Sequence, residues 1–335
     1  ASVDAGHVLG EIARLHDDAV HPRLRDAYLA GLARPEPVAL GLDLHPLALC
    51  QVHLRRNWRS AASPAVTALA AAMQESPLQV QCVLGDPQFG PEAGRRAEGR
   101  PVWVAGRPTP SATEVARTLL ADLADWADAV VSAPTPEEAL AAHGRQRVLC
   151  ARRSGPLGAE WFNAAIEADL ARRGRILPWD DGHYAGRPLL MTRNDYDLQL
   201  SNGDIGIIHG RRGEAQAWFT TGTGELRPIP LHRLHSIEPV FAMSIHKSQG
   251  SQFDHVEIVT ALDDHGGTGE LLTRELLYTA VTRAAYSARI WADPDLLARA
   301  LDRRTVRRSG LGHFLRNALP ASDHRGAEDT EGHRG

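Results

Sequence analysis

Apolar positions recur at helical spacing in several stretches and at strand spacing in others. Ser63-Pro64 supplies an N-cap and a first-turn proline ahead of Val66, Leu69 and Met73. Ser111-x-x-Glu114 and Thr135-x-x-Glu138 read as capping boxes, the second with Pro136 at the first helical position. Val115, Leu119, Leu123, Trp126 and Val130 then repeat on one helix face, which predicts two packed helices with Gly144 as the stop. Val148 to Ala151 is a short apolar run of the kind that forms a buried strand. Its exit loop, Arg152 to Gly158, leads to a helix carrying Phe162, Ile166 and Leu170 and closed by Gly174, so that strand, loop and helix make half of a βαβ unit.

From Gly186 to Pro239 the pattern changes. Short β-rich runs at Pro188 to Met191, Ile205 to Ile208, Ala215 to Thr220 and Leu226 to Ile229 are separated by Asn202-Gly203 and by the glycine-bearing segments 210–213 and 222–224. The spacing predicts a small antiparallel barrel or meander inserted into an α/β domain. Beyond it, Val256 to Val259 reads as a core strand, Thr273 as the cap of a helix with Leu276, Leu277, Ala280 and Val281 inward, and Ala288 to Ala292 as a last strand. His7 to Leu49 is weakly helical and broken by Pro22, Pro35, Pro37 and Pro46, as a connecting region would be. Residues 77–110 are rich in Pro, Gly and charge, contain the strand candidate Val102 to Val104, and receive no function; residues 313–335 read as a disordered tail.

Composition narrows the class. With 335 residues and 43% hydrophobic content the chain can bury the cores of two or three domains. No apolar run approaches the roughly 20 residues that span a bilayer and no charged-then-apolar leader opens the sequence, so a soluble, cytoplasmic protein without membrane contact is expected. Cys50, Cys82 and Cys150 are lone and widely spaced, which suggests buried small hydrophobes rather than a disulfide framework or a zinc site. A net charge of -4 argues against a histone-like basic wrapper but leaves room for arginines concentrated in one groove. Of the 37 Lys and Arg residues only Lys247 is a lysine. The run G-x-x-x-x-G-K-[ST], whose lysine reaches the β- and γ-phosphates, therefore does not occur, and the chain has no Walker A loop of its own. Nothing in the sequence groups the acidic metal ligands of a nuclease, and no metal site is assigned.

The chemistry concentrates in two stretches. In Ala242-Met243-Ser244-Ile245-His246-Lys247-Ser248-Gln249-Gly250-Ser251-Gln252-Phe253-Asp254 an apolar run ends abruptly in small polar donors and one glycine, the form of a loop at the carboxyl edge of a parallel sheet, where ligands sit. Leu276-Leu277-Tyr278-Thr279-Ala280-Val281-Thr282-Arg283 ends a helix with an arginine, whose planar fork suits phosphoryl oxygens, although a cation there also complements the helix dipole. Leu54-Arg55-Arg56-Asn57-Trp58-Arg59 stands just before the Ser63 helix start, which places Arg59 where it can meet a phosphate; a surface arginine beside a packed Trp58 is the plain alternative. His246 as a core histidine and Lys247 as a surface cation are the corresponding plain readings of the loop.

These two stretches resemble motifs V and VI of superfamily-1 helicases, and the S-I-H-K-S-Q-G-S-x-F-D wording is most similar to the RecD family, the alpha subunits of exodeoxyribonuclease V. Ala1-Ser2-Val3-Asp4-Ala5-Gly6 resembles the end of that family's motif III, and Leu54 to Arg59 its motif IV. Arg193-Asn194-Asp195 with Asn202-Gly203-Asp204-Ile205-Gly206 resembles the signature that opens its SH3-like insert, and Arg303 to Leu311 its C-terminal R-T-x-R-R-S-G-L run.

The resemblance implies an α/β, RecA-like second helicase domain of the P-loop NTPase class, with a parallel sheet and an inserted small SH3-like β-barrel. Residues 1–44 would be the end of a first RecA-like domain and a connection, 45–185 and 240–312 the two parts of the second domain, and 186–239 the barrel. It further implies catalytic roles for Arg283, as arginine finger, and Arg59, with Gly250 and Gln252 also at the nucleotide. Single-stranded DNA would be met by Arg193, Asn194, Asn202, Ser244, His246, Lys247, Ser248 and Gln249. ATP and Mg2+ are the implied cofactors, bound mainly by a loop upstream of Ala1, so that the chain alone would be inactive. The implied partners are DNA ends and RecB- and RecC-like subunits of a heterotrimer, and the implied activity is 5′-to-3′ DNA unwinding in double-strand-break repair and recombination. Most relatives carry Glu where Gln252 stands, which puts that position's role in question. The competing readings are a stand-alone RecD-like or relaxase-type helicase and a catalytically inactive module that binds DNA or scaffolds a partner.

Overall fold

Near-continuous apolar runs mark strands covered on both faces, and such runs form the central sheet of the described residues. The computed structural model describes residues 63–77, 79, 80, 83, 102–104, 111–221, 224–260 and 272–303, all within one of the chain's two units, Arg56–Thr305. In chain order the elements are α1 (Pro64–Glu75), β1 (Val102–Val104), α2 (Ala112–Val131), α3 (Pro136–Arg145), β2 (Gln146–Cys150) and α4 (Ala159–Arg172). The five strands β3 (Pro188–Met191), β4 (Ile205–His209), β5 (Gln216–Thr220), β6 (Leu226–Pro230) and β7 (Ile237–Pro239) follow. The chain then returns through β8 (Ala242–Ser244), β9 (Phe253–Val259), α5 (Arg274–Val281), β10 (Ala284–Trp291) and α6 (Pro294–Asp302).

One five-stranded sheet, in the order β1-β10-β9-β2-β8, is parallel throughout. Alternate strand residues divide its two faces. Leu149, Met243, Val256, Ile258 and Ile290 pack with α1, α5 and α6 on one side. Val148, Cys150, Ala242, Val259 and Trp291 pack with α2, α3 and α4 on the other. The second five-stranded sheet, β6-β5-β4-β3-β7, is antiparallel, and Ile205 to Ile208 lie in it rather than in the parallel sheet. It has its own core, including Leu189, Met191, Ile208, Phe219 and Ile229, and joins the main domain through Leu190 and Ile207.

The caps follow the sequence closely. Ser63 Oγ accepts from the Val66 N–H at 3.2 Å, and Ser111 and Glu114 form the full reciprocal box. The Thr135 hydroxyl accepts from Glu138 N–H at 3.2 Å, and Thr273 caps α5. Gly174, at φ 67°, ends α4 as the Arg175 N–H reaches back to Leu170 O at 2.8 Å. Gly144 is not a stop: α3 runs through it to Arg145 and passes directly into β2, which starts at Gln146 rather than Val148. β10 likewise starts at Ala284, because its backbone pairs with Phe253 before the apolar run begins. Cys150 is a buried free thiol; Cys50 and Cys82 lie outside the described residues. Among the described residues no helix is long and apolar enough to cross a membrane.

Polar clamps tie the layers. Asn163 of α4 donates to Pro239 O and Ala242 O, both at 2.9 Å, and accepts from the Ala242 N–H at 2.7 Å. Arg289 of β10 donates to Glu257 of β9 and to Asp122 of α2, each at 2.6 Å, beneath a Trp291 N–H that also donates to Glu257. One register position away, Arg147 of β2 is fully buried, its guanidinium 4.7 Å from the Phe253 ring centroid. Arg147 Nη2 lies 2.8 Å from His143 Nδ1, and His143 Nε2 lies 2.8 Å from Val240 O, an arrangement that fits a neutral imidazole accepting from the arginine and donating to the carbonyl. Burial pulls the Arg147 pKa down to about 9. Burial and then the neighbouring Arg147 charge hold His143 well below its ordinary 6.5.

Two predictions follow from these clamps. Because His143 is neutral when folded and free to protonate when unfolded, the unfolded chain binds the extra proton, and stability falls as pH drops below 6.5 toward the depressed folded value. The urea midpoint should therefore decline between about pH 7 and pH 5, and His143→Gln should flatten that decline. Equal slopes for parent and variant would remove His143 as the cause. Asn163→Ala strands one buried N–H and two carbonyls, so it should cost about 2–3 kcal/mol in urea unfolding. A loss under about 0.5 kcal/mol would show that water replaces the amide there.

Candidate functional site

Two parallel strands cannot be joined by a tight turn, since the chain must travel back along the sheet. β8 and β9 flank β2, yet only the eight residues 245–252 connect them. Ser244 at the end of β8 and Val259 at the end of β9 both lie level with Cys150, whereas Phe253 starts two residues before the partner of Gln146. The connection thus runs from the carboxyl edge to the amino edge, about 20 Å at roughly 3.3 Å per residue. It begins as a single 3-10 turn, Ile245–Ser248, capped by Ser244 Oγ. Ile245 is buried in the core shared with α5. The Ser248 hydroxyl, also buried, donates to Ile245 O at 2.7 Å, and Gly250 at φ 90° lets the chain turn so that Ser251 N–H meets Ser248 O.

The expected ligand loop is therefore not confined to the carboxyl edge: it distributes its residues between two places. At the amino edge, Gly250 and Gln252 are exposed, and Arg283 grips the backbone on both sides of Gln252. Its Nη1 donates to Ser251 O at 3.0 Å, its Nε to Thr279 O at 3.2 Å, and its carbonyl accepts from Phe253 N–H at 2.9 Å. Arg283 is only 7% exposed, so its guanidinium is positioned by the fold. The Thr279 contact also has it complementing the end of α5.

Beside β8, a cavity of about 240 Å³ is lined by Arg153, Glu160, Asn163, Glu238, Ser244 and Lys247. Lys247 Nζ pairs with Glu238 Oε1, and Arg153 reaches the other Glu238 oxygen at 3.6 Å and Glu160 at 2.9 Å. Glu238 and Arg153 were not singled out from sequence; a carboxylate in β7 carries no local sign that it will meet a lysine in the following loop. His246 is exposed, and partial burial lowers its pKa below 6.5, so at neutral pH it offers hydrogen bonds rather than charge. Gln249 is half-buried. Ser248 departs from the expected direct donor: its hydroxyl is spent inside the turn. Arg193, Asn194 and Asn202 are exposed together on the β3–β4 connection of the insert, with Asn202 N–H donating to Asn194 Oδ1 at 2.8 Å. Arg59, Trp58, Ala1 to Gly6 and the run after Arg303 lie outside the described residues. A larger cavity of about 710 Å³, lined in part by Trp179, His183, Arg212 and His232, contains none of the residues expected to bind nucleotide or DNA.

A model of the UvrD-like helicase C-terminal domain matches residues 239–290, the segment from β8 through the crossover to β10. The chain is 43% identical over 173 residues to the RecBCD enzyme subunit RecD of Mycobacterium tuberculosis (strain CDC 1551 / Oshkosh), covering 52% of this chain and 29% of the relative. It is 31% identical over 329 residues to the RecBCD enzyme subunit RecD of Haemophilus influenzae, covering 94% of this chain and 48% of the relative. It therefore spans less than half the length of these relatives. The crystal structure of Bacteroides Pif1 bound to ssDNA aligns over 51% of this chain and 45% of its own, at 16% identity and a TM-score of 0.30, too loose a likeness to carry weight. The sequence matches agree on one likeness: the chain is similar to the C-terminal portion of RecD-type superfamily-1 helicases.

Proposed function

We propose that this chain forms the second motor domain of an ATP-dependent DNA helicase, acting 5′ to 3′ in a RecBCD-like complex for double-strand-break repair. The observation that supports it most is the crossover 245–252, one short segment whose first end brings Ser244 and Lys247 to the cavity beside β8 and whose second end is gripped by Arg283. In this reading Ser244, His246, Lys247 and Gln249, with Arg193, Asn194 and Asn202 of the insert, meet single-stranded DNA through its backbone, as a sequence-tolerant translocase requires. Ser248 shapes the turn. Gly250, Gln252, Arg283 and Arg59 face the nucleotide, whose triphosphate and Mg2+ are held by a P-loop that this sequence does not contain. The insert, from Gly186 to Pro239, is read as SH3-like, and the domain boundaries as 45–185 and 240–312 around it. The names of the relatives, RecBCD enzyme subunit RecD, support RecB- and RecC-like partners.

Without a Walker A loop, the 335-residue chain alone should show no DNA-stimulated ATP hydrolysis. Turnover above background in a clean preparation would refute this division of labour. In a protein completed with its P-loop domain, Arg283→Ala should lower kcat by about 10³ to 10⁵, roughly 4 to 7 kcal/mol of barrier, with little change in ATP binding. Arg283→Lys should rescue little, because lysine lacks the planar fork. A rate within about threefold of the parent, far short of that range, would leave Arg283 a dipole-complementing residue.

A further inference from the structure

The most exposed aromatic ring described belongs to a tyrosine that the reading above does not use. Tyr196 is 84% exposed, on the connection between β3 and β4. Large aromatic surface left in water brings no folding free energy, and a mobile loop could hide it. This loop holds it out instead. Asp195 and Leu200 exchange both backbone hydrogen bonds, at 2.7 and 2.9 Å, and Asp195 Oδ1 accepts from the Leu198 N–H at 3.0 Å. Leu198 and Leu200 are buried in the insert core, Arg227 donates to Leu198 O, and Gln199 takes a left-handed φ of 51°. Asn194, tied to Asn202 N–H, places its Nδ2 3.4 Å from the Tyr196 hydroxyl.

The surroundings identify the ligand chemistry. Asn194 meets the Tyr196 hydroxyl and is tied to Asn202, Arg193 precedes it in the same loop, and all three are exposed, so the loop that presents the ring also carries a cation and amide donors. The loop also leaves the insert next to the proposed phosphate contact: Thr192 N–H donates to Ser236 O at 2.8 Å, and Glu238, the partner of Lys247, is two residues further along β7, about 7 Å away. A cation, amide donors and a rigid aromatic platform on one loop are what a single-stranded nucleic acid presents phosphates and bases to.

We propose that Tyr196 stacks on a base of the single-stranded DNA whose flanking phosphate meets Arg193, which makes the insert a base-holding platform beside the crossover. This rests on the DNA-binding role proposed above, and it adds to that role a contact that is sequence-tolerant but insensitive to salt. The test uses the full chain and a labelled oligothymidylate, with affinity read by fluorescence anisotropy over a range of salt. Tyr196→Ala should weaken binding about tenfold at every salt concentration, leaving the log–log salt slope unchanged, while Tyr196→Phe stays within about twofold. Arg193→Ala should instead flatten the slope by about 0.7. On a strand of abasic sugar-phosphates, parent and Tyr196→Ala should bind alike. The exposed side chain makes misfolding of the variant easy to rule out by an unchanged urea midpoint. If the parent binds and Tyr196→Ala matches it, or if the loss persists on the abasic strand, stacking is wrong and the DNA-binding reading stands. If the parent binds no single-stranded DNA, both fall together.

Discussion

The parallel arrangement of β8, β2 and β9 imposes a return path, and the chain makes that return in eight residues, too few for the usual helix. Most features of the site follow from this shortage. A single 3-10 turn takes up the first residues, Ile245 anchors it in the core beneath α5, and the Ser248 hydroxyl closes it. The last residues must turn sharply to enter β9, which is why a glycine at φ 90° stands at 250. A segment this short and this anchored has little freedom to move one end without the other. In the proposed motor it would relay a displacement at the β8 side to the backbone around Gln252.

Arg283 sits at the far end of that segment with its orientation already fixed. Two backbone carbonyls, Thr279 O and Ser251 O, hold its Nε and Nη1, so the entropy of ordering a long side chain is spent in folding, which would leave the proposed arginine finger ordered before any reaction. The clamps elsewhere have the same character. Asn163 fixes β8 to α4, and the Arg289–Glu257–Asp122 group fixes β10 and β9 to α2. Buried charge pairs of this kind are poor net stabilisers, since desolvation offsets their attraction, but breaking one is costly. Their value here lies in holding adjacent strands in one register.

Much of this was legible in the sequence because it depends on local physics. Caps at Ser63, Ser111, Thr135 and Thr273, the helix faces, and the change to β-rich runs after Gly186 are all written in residues close together along the chain. What was illegible depends on contacts across the fold. Gly144 ends no helix, since the capping signal is overridden where α3 continues directly into a buried strand. Ser248 reads as a donor by type and is consumed by its own turn. Arg147 looks like any surface arginine until the strand buries it against His143 and Phe253. Glu238 gives no sign that it faces Lys247.

The Glu238–Lys247 pair bears on how a moving protein can hold an anion. A lysine fully committed to a phosphate binds it tightly, and a translocase that binds each phosphate tightly must spend energy to leave it. Here the loop's cation already has a carboxylate partner that is itself only partly buried, so in the proposed reading an arriving phosphate would exchange one ion pair for another rather than gain a new one. The net gain per contact is small and the barrier to release is low. Arg153, shared between Glu238 and Glu160, stands in the same relation to the cavity. In that reading affinity would come from several weak contacts summed along the strand, which the proposed Tyr196 platform would supplement without adding charge.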